Sequence, residues 1–220
     1  KNPDDVAKLS MLNILGIIGK SNLSSNVIVL KKPRSAVSET FRGLRTSLQF
    51  TFKKHAKDQT NRCILVTSSV SGEGKTFTAI NLASVFSLSD KKTLILGLDL
   101  RKPKIFDDFD LHNEHGAVDF LAGDSDISDI IQKTSYKNLD VITSGTIPPN
   151  PSEILMGEKI DQMIAALKER YDYIIMDTPP IGLVSDALNL MKFADASLYM
   201  IRQDYTKKGM LGIINEKYEK

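Results

Sequence analysis

Five short apolar runs, separated by stretches with helical spacing, constrain this 220-residue chain more than any other feature. They fall at residues 63–67, 92–99, 139–143, 173–177 and 197–202. Apolar runs of that length, without polar alternation, read as strands covered on both faces. The intervening segments 76–88, 151–170 and 184–193 read as helices. Pro151 opens the longest of them, at a position where its missing N–H costs nothing. Strand and helix in alternation imply right-handed crossovers, hence an α/β fold with a mostly parallel sheet flanked by helices. Such sheets bind ligands beyond the carboxyl ends of their strands. The residues that follow each apolar run are therefore the first place to look for chemistry.

The rest of the chain reads less regularly. Runs at 14–18 and 27–30 suggest two short strands, and Lys31-Lys32-Pro33-Arg34 then breaks the pattern. From Ser35 the apolar residues Val37, Phe41, Leu44, Leu48 and Phe52 form one helical stripe. Lys53, Lys54, His55 and Lys57 close it with cations, which complement the negative end of a helix dipole. Short helices are expected at 118–121 and 127–131, and a last helix from Thr206. Hydrophobic residues at 41% and charged residues at 25% exclude a disordered chain, a fibre and a disulfide scaffold. A net charge of +2 gives no case for a nucleic-acid partner. Cys63 is the single cysteine, so no internal disulfide forms. No apolar run approaches the ~20 residues needed to span a bilayer. The chain opens with Lys1, and a piece of something longer is expected.

Ser71-Gly72-Glu73-Gly74-Lys75-Thr76 lies between the strand at 63–67 and the helix at 76–88, the setting a phosphate-binding loop requires. Glycines at 72 and 74 let successive N–H groups turn toward phosphate oxygens. Lys75 would reach the β- and γ-phosphates, and the Thr76 hydroxyl would ligate Mg²⁺. Phe77 completes the candidate nucleotide-binding stretch. Ser69 stands where the usual motif begins with glycine. Asp177 ends the strand at 173–177 and is the candidate Walker B carboxylate, followed by Thr178-Pro179-Pro180. Asp99 ends the strand at 92–99 and is a second candidate for the metal site. Arg101, Lys102 and Lys104 follow it, as contacts for an anionic substrate or as a solvated basic loop.

These residues resemble the cytoplasmic kinase domain of the bacterial protein-tyrosine kinases that control capsular and exopolysaccharide synthesis. Six segments between about residues 14 and 205 carry the resemblance. They are Leu15-Gly16-Ile17-Ile18, the helix holding Glu39, Arg42 and Arg45, the loop from Ser71 to Thr76, Asp99-Leu100-Arg101-Lys102-Pro103, the loop from Pro148 to Leu155, and Asp177-Thr178-Pro179-Pro180 with Asp186. The resemblance implies a P-loop NTPase fold of the deviant Walker A type, shared with cell-division and plasmid-partition ATPases. It implies ATP and Mg²⁺ as cofactors and transfer of the γ-phosphoryl to C-terminal tyrosines of a neighbouring subunit. Lys75 and Asp99 would be catalytic, with Thr76, Asp99 and Asp177 around the metal. Glu39, Arg42 and Arg45 would line the interface of a ring-shaped homo-oligomer. A transmembrane activator or co-polymerase domain, fused or separate, would hold the domain at the inner face of the bacterial membrane. Residues 1–34 would then be a juxtamembrane-type segment and residues 35–220 the kinase domain.

Two departures stand out. The family pattern commonly places Asp two residues before Asp99, where this chain has Gly97. A tyrosine-rich tail should follow the last helix, and only Tyr218 lies near the end, so truncation before or inside that tail is expected and Tyr218 is the candidate phosphoacceptor. Tyr173 and Tyr199 are expected in the core. Two other readings stay open. A partition-type ATPase would hydrolyse ATP without phosphorylating protein, but it usually carries an extra lysine that Thr67-Ser68-Ser69-Val70-Ser71 lacks. A nucleotide-binding scaffold without turnover would fit Gly97.

Overall fold

The computed structural model describes residues 3–21, 25–55, 61–182 and 186–218; for 55, 213, 214 and 216–218 it describes the backbone alone. Among these residues one sheet of 6 strands runs in the order β3-β4-β2-β5-β1-β6. The strands are β1 (Arg62–Ser68), β2 (Thr93–Gly97), β3 (Gln132–Lys133), β4 (Leu139–Ile142), β5 (Tyr173–Asp177) and β6 (Ala196–Met200). Every pairing is parallel except that of β3 with β4. The helices are α1 (Pro3–Ala7), α2 (Ile28–Lys31), α3 (Ala36–His55), α4 (Lys75–Ser87), α5 (Ile105–Asp108), α6 (Ala117–Ala122), α7 (Pro151–Met156), α8 (Glu158–Lys168), α9 (Asp186–Leu190) and α10 (Gly209–Tyr218).

Alternate residues of each central strand enter opposite cores, as the two-residue strand period demands. Ile64 and Val66 of β1, with Tyr173 and Ile175 of β5, pack under α3 and α4. Cys63 and Leu65, with Ile174 and Met176, pack under α6 and α8. Both faces are covered, which is why these runs show no polar alternation. The ring of Tyr173 stacks on Phe86 at 3.7 Å, so this tyrosine belongs to the core as its position suggested. Helix α4 is buried on nearly every side because α3 lies outside it, with Phe41, Leu44, Leu48 and Phe52 turned inward.

Several sequence expectations need correction. The run at 27–30 is not a strand. Its Ile28 and Val29 N–H groups donate to Asn81 Oδ1 of α4 at 3.0 and 2.9 Å, which folds the segment into the single turn of α2. The run at 14–18 has no regular structure; Leu15 and Ile18 pack on the core while Ile14 and Ile17 face outward. The helix expected over 151–170 is two helices, because Gly157 takes an extended conformation (φ −69°, ψ 162°) and ends α7 where α8 begins. Residues 127–131 form turns, not a helix. The strand at 196–200 is only partly buried, since β6 is an edge strand paired on one side with β1. Of the helix expected over 184–193, residues 184 and 185 lie outside the described residues, and a 3-10 turn (Met191–Phe193) follows α9.

Asn81 has no exposed surface and also donates to Asn26 O and Phe77 O, at 2.7 and 2.8 Å. The Ile28 N–H also donates to Asn26 O at 3.0 Å, so replacing Asn81 with alanine strands one buried N–H group, that of Val29. At about 1–3 kcal/mol for an unsatisfied buried group, Asn81→Ala should lose about 1–3 kcal/mol in urea unfolding. Amide exchange at Val29 should accelerate with it. A loss below about 0.5 kcal/mol would show that the Val29 amide finds another acceptor.

Candidate functional site

The carboxyl ends of β1, β5 and β2 meet at one edge of the sheet. Val66 and Gly97 both lie in register with Asp177, and β1 runs on into the phosphate loop. Gly72 and Gly74 have φ of 89° and 97°, in the left-handed region that favours glycine. That conformation turns the chain into α4, which starts at Lys75. Lys75 is 6% exposed despite its charge. The Thr76 hydroxyl donates to Asp177 Oδ2 at 2.7 Å. The ring of Phe77 lies against Phe41, 5.9 Å away.

Asp177 is 3% exposed, and its Oδ1 is buried with no hydrogen-bond partner. Burial pushes its pKa up to about 7; the Thr76 hydrogen bond and the Lys75 charge pull it down, and Asp99 adds to the rise. An unpartnered carboxylate oxygen beside a hydroxyl fits an oxygen-seeking divalent cation. Thr76 and Asp177 would hold Mg²⁺ there, and the ion would neutralise phosphate charge. Among the described residues no group of three or more His, Cys, Asp or Glu gathers at a metal site. Phosphate oxygens and water would complete the shell, as is usual for Mg²⁺.

Asp99 follows β2, and its Oδ1 accepts from the Lys102 and Arg101 N–H groups at 3.1 and 3.4 Å. Burial raises its proton affinity, while those backbone groups and Lys75 oppose the rise. Gly97, Asp99 and Asp177 line one small cleft with Asn113 and Ser144. Arg101 is not a free contact for substrate. Its Nε donates to Asp186 Oδ2 at 3.2 Å and its Nη2 to Ser152 Oγ at 2.8 Å, while Ser152 Oγ donates to Asp186 Oδ1 at 2.7 Å. Three segments far apart in sequence thus form one constellation.

The candidate interface residues divide. Glu39 and Arg42 pair with each other on α3, and Arg42 also donates to Pro33 O at 2.7 Å. Arg45 turns inward and donates to Val85 O, in the last turn of α4, at 2.8 Å. The side chain of Tyr218 lies outside the described residues.

A family model described as an AAA domain matches residues 61–218. The tyrosine-protein kinase YwqD of Bacillus subtilis (strain 168) is 39% identical over 188 residues, covering 86% of this chain and 78% of that protein. The chain belongs to the bacterial tyrosine-protein kinases. Its similarity to tyrosine-protein kinase etk of Escherichia coli (strain K12) is 35% over 193 residues, 83% of this chain but only 26% of that longer protein. The crystal structure of the chimerical protein CapA2B2 superposes with a TM-score of 0.87 at 35% identity, over 99% of this chain and 92% of that one. The fold reaches further. The septum site-determining protein MinD of Pyrococcus horikoshii OT3 aligns at a TM-score of 0.60 and 23% identity, over 72% of this chain and 66% of that one. The doubly covered parallel sheet and the P-loop class expected from sequence are therefore shown.

Three residues of this kinase-family site had no motif to announce them. Arg202, Tyr205 and Thr206 follow β6 and touch the phosphate loop from outside. Their only signal was position, beyond the carboxyl end of a parallel strand. Glu73 is 4% exposed and holds the loop internally, accepting from Val70 N at 2.9 Å. Tyr199, expected in the core, is partly buried and shares a hydrogen bond with Ser69.

The buried carboxyl of Asp177 predicts a pH effect. Unfolded Asp titrates near 3.9, and folded Asp177 near 7. Between these values the folded state keeps a proton that the unfolded state has lost, so stability falls as pH rises from about 4 to about 7. Without metal or nucleotide, Asp177→Asn should remove that part of the decline. Thermal melts in chelator across this range test it, and parallel curves for the two proteins would contradict it.

Proposed function

We propose that this chain is an ATP-dependent protein-tyrosine autokinase that regulates the polymerisation and export of capsule or exopolysaccharide. The observation that carries the reading is the phosphate loop with Thr76 bonded to a buried, half-satisfied Asp177, in a chain 39% identical to a named tyrosine-protein kinase over most of its length. The Arg101, Ser152 and Asp186 constellation supports it, because it joins three segments that the sequence resemblance had picked out separately.

Phosphoryl transfer needs positioning and charge neutralisation more than a strong base. The loop amides and Lys75 hold the triphosphate in this reading. Thr76 and Asp177 orient its charged end. Asp99 orients the incoming tyrosine hydroxyl or takes its proton, and the burial that raises its proton affinity makes it a better base than an exposed Asp. The hydroxyl comes from a neighbouring copy in a ring, with Glu39, Arg42 and Arg45 at or behind the contact. Tyr218 is one acceptor. A membrane-embedded activator, fused or separate, places the domain at the inner membrane face through a segment within residues 1–34. Among the described residues no helix is long and apolar enough to cross a membrane.

The test is phosphorylation-site mass spectrometry after incubation with Mg-ATP, alongside Lys75→Met. Phosphotyrosine should form, and fall at least about a hundredfold in the variant, the scale of losing a main charge-stabilising group. ADP release without phosphotyrosine would favour a partition-type ATPase. Bound nucleotide with neither product would favour a scaffold.

A further inference from the structure

Residues 202–206 make a tight turn after β6, with Tyr205 N and Thr206 N both donating to Arg202 O, at 3.2 and 3.0 Å. This turn grips the phosphate loop at three successive residues. The Tyr205 hydroxyl donates to Ser71 O at 3.0 Å. Arg202 Nη1 donates to Gly72 O at 2.8 Å. The Thr206 hydroxyl bonds to Glu73 Oε1 and accepts from Arg202 N at 2.9 Å. The Arg202 guanidinium also lies over the Tyr205 ring, 5.3 Å from its centroid.

A trans peptide unit is planar, with its C=O and N–H pointing in opposite directions. Fixing the carbonyls of Ser71 and Gly72 therefore fixes the amides of Gly72 and Glu73, which point away from the clamp and into the loop. Those amides belong to the phosphate cradle. The clamp thus sets the shape that receives nucleotide, although none of its side chains lies on the phosphate side.

Of the two clamp residues that carry a hydroxyl, Thr206 is buried and Tyr205 is 50% exposed. We propose that Tyr205 is a phosphorylation site, modified by a second copy of this chain, and that its modification opens the clamp and weakens nucleotide binding. The inference rests on the kinase reading above. Its own nucleotide is out of reach, since the hydroxyl sits on the carbonyl side of the loop and the phosphates on the amide side. In the step, the bond from the γ-phosphorus to the oxygen bridging to ADP breaks and ADP leaves with the electron pair. A new bond joins phosphorus to the Tyr205 oxygen, whose proton passes to solvent.

The phosphorylated oxygen has no hydrogen to donate, and acceptor would face acceptor at Ser71 O. A Cβ built on Gly72 would already lie 2.9 Å from the Tyr205 hydroxyl, so the side facing the loop has no space for a phosphate. The ring must swing out. Arg202 is the cation nearest to follow it, and pairing with the phosphate draws its Nη1 from Gly72 O.

The test uses the whole 220-residue chain. Wild type incubated with Mg-ATP should carry phosphate on the Tyr205 peptide. Lys75→Met alone should not, and Lys75→Met mixed with wild type should regain it. Titration with a fluorescent ADP analogue and Mg²⁺ should give about tenfold weaker binding to the Tyr205-phosphorylated chain and to Tyr205→Glu, and a smaller loss for Tyr205→Phe. The phosphorylated wild type needs no substitution, so a misfolded variant does not decide the result. Phosphotyrosine elsewhere but not at Tyr205 would overturn the inference and leave the kinase reading standing. No phosphotyrosine anywhere would overturn both. Modification of Tyr205 with unchanged affinity would overturn the clamp.

Discussion

A carboxylate withdrawn from water is costly, and Asp177 is withdrawn almost completely. The chain compensates only in part, with one hydroxyl from Thr76 and the nearby charge of Lys75. The other oxygen has no hydrogen-bond partner. That unmet demand suits the site to a divalent cation. Much of the architecture follows from the need to bury this group at a chosen point. β5 must lie inside the sheet, between β2 and β1, so that its end is enclosed. β1 must pair with it in register, so that the loop leaving β1 delivers Thr76 to the carboxylate.

The surroundings hold this arrangement from several directions. Helix α4 carries Lys75 and Thr76 at one end and is fixed from outside by α3, while its Asn81 captures the amides of α2. Arg101, Ser152 and Asp186 bind the stretch after β2 to α7 and α9. The turn at 202–206 does the same for the loop backbone. Gly97 fits the same picture. A side chain there would press on Ile142 O at 3.3 Å and Ser144 N at 3.4 Å, so this strand end leaves little room for the aspartate of the family pattern. Asp99, held by two backbone amides, is the carboxylate that this edge of the cleft presents.

The central strands were legible because an element buried on both faces writes its burial into every residue. Asp99, Asp177 and the phosphate loop were legible because strand ends in such sheets point to ligands. Where reading failed, the local pattern recorded burial but not shape. Val27, Ile28 and Val29 are as buried as any strand, yet Asn81, more than fifty positions away, decides that they turn. The spacing over 151–170 continues through Gly157, whose extended backbone breaks the helix. The apolarity of 197–202 did not reveal an edge. Arg42 and Arg45 share one helix and one motif, but only Arg45 meets a neighbouring helix end to donate to.

The sequence by itself determined the fold class, the five parallel strands, and the chemical groups of the phosphate site. These depend on periodicity and on residue types within a few positions of each other. Only the tertiary structure decided which strands are neighbours, which arginine faces inward, and that a turn 130 to 134 residues further along the chain grips the phosphate loop. Such contacts join groups whose sequence separation carries no pattern. They exist because the sheet brings the ends of β1 and β6 side by side.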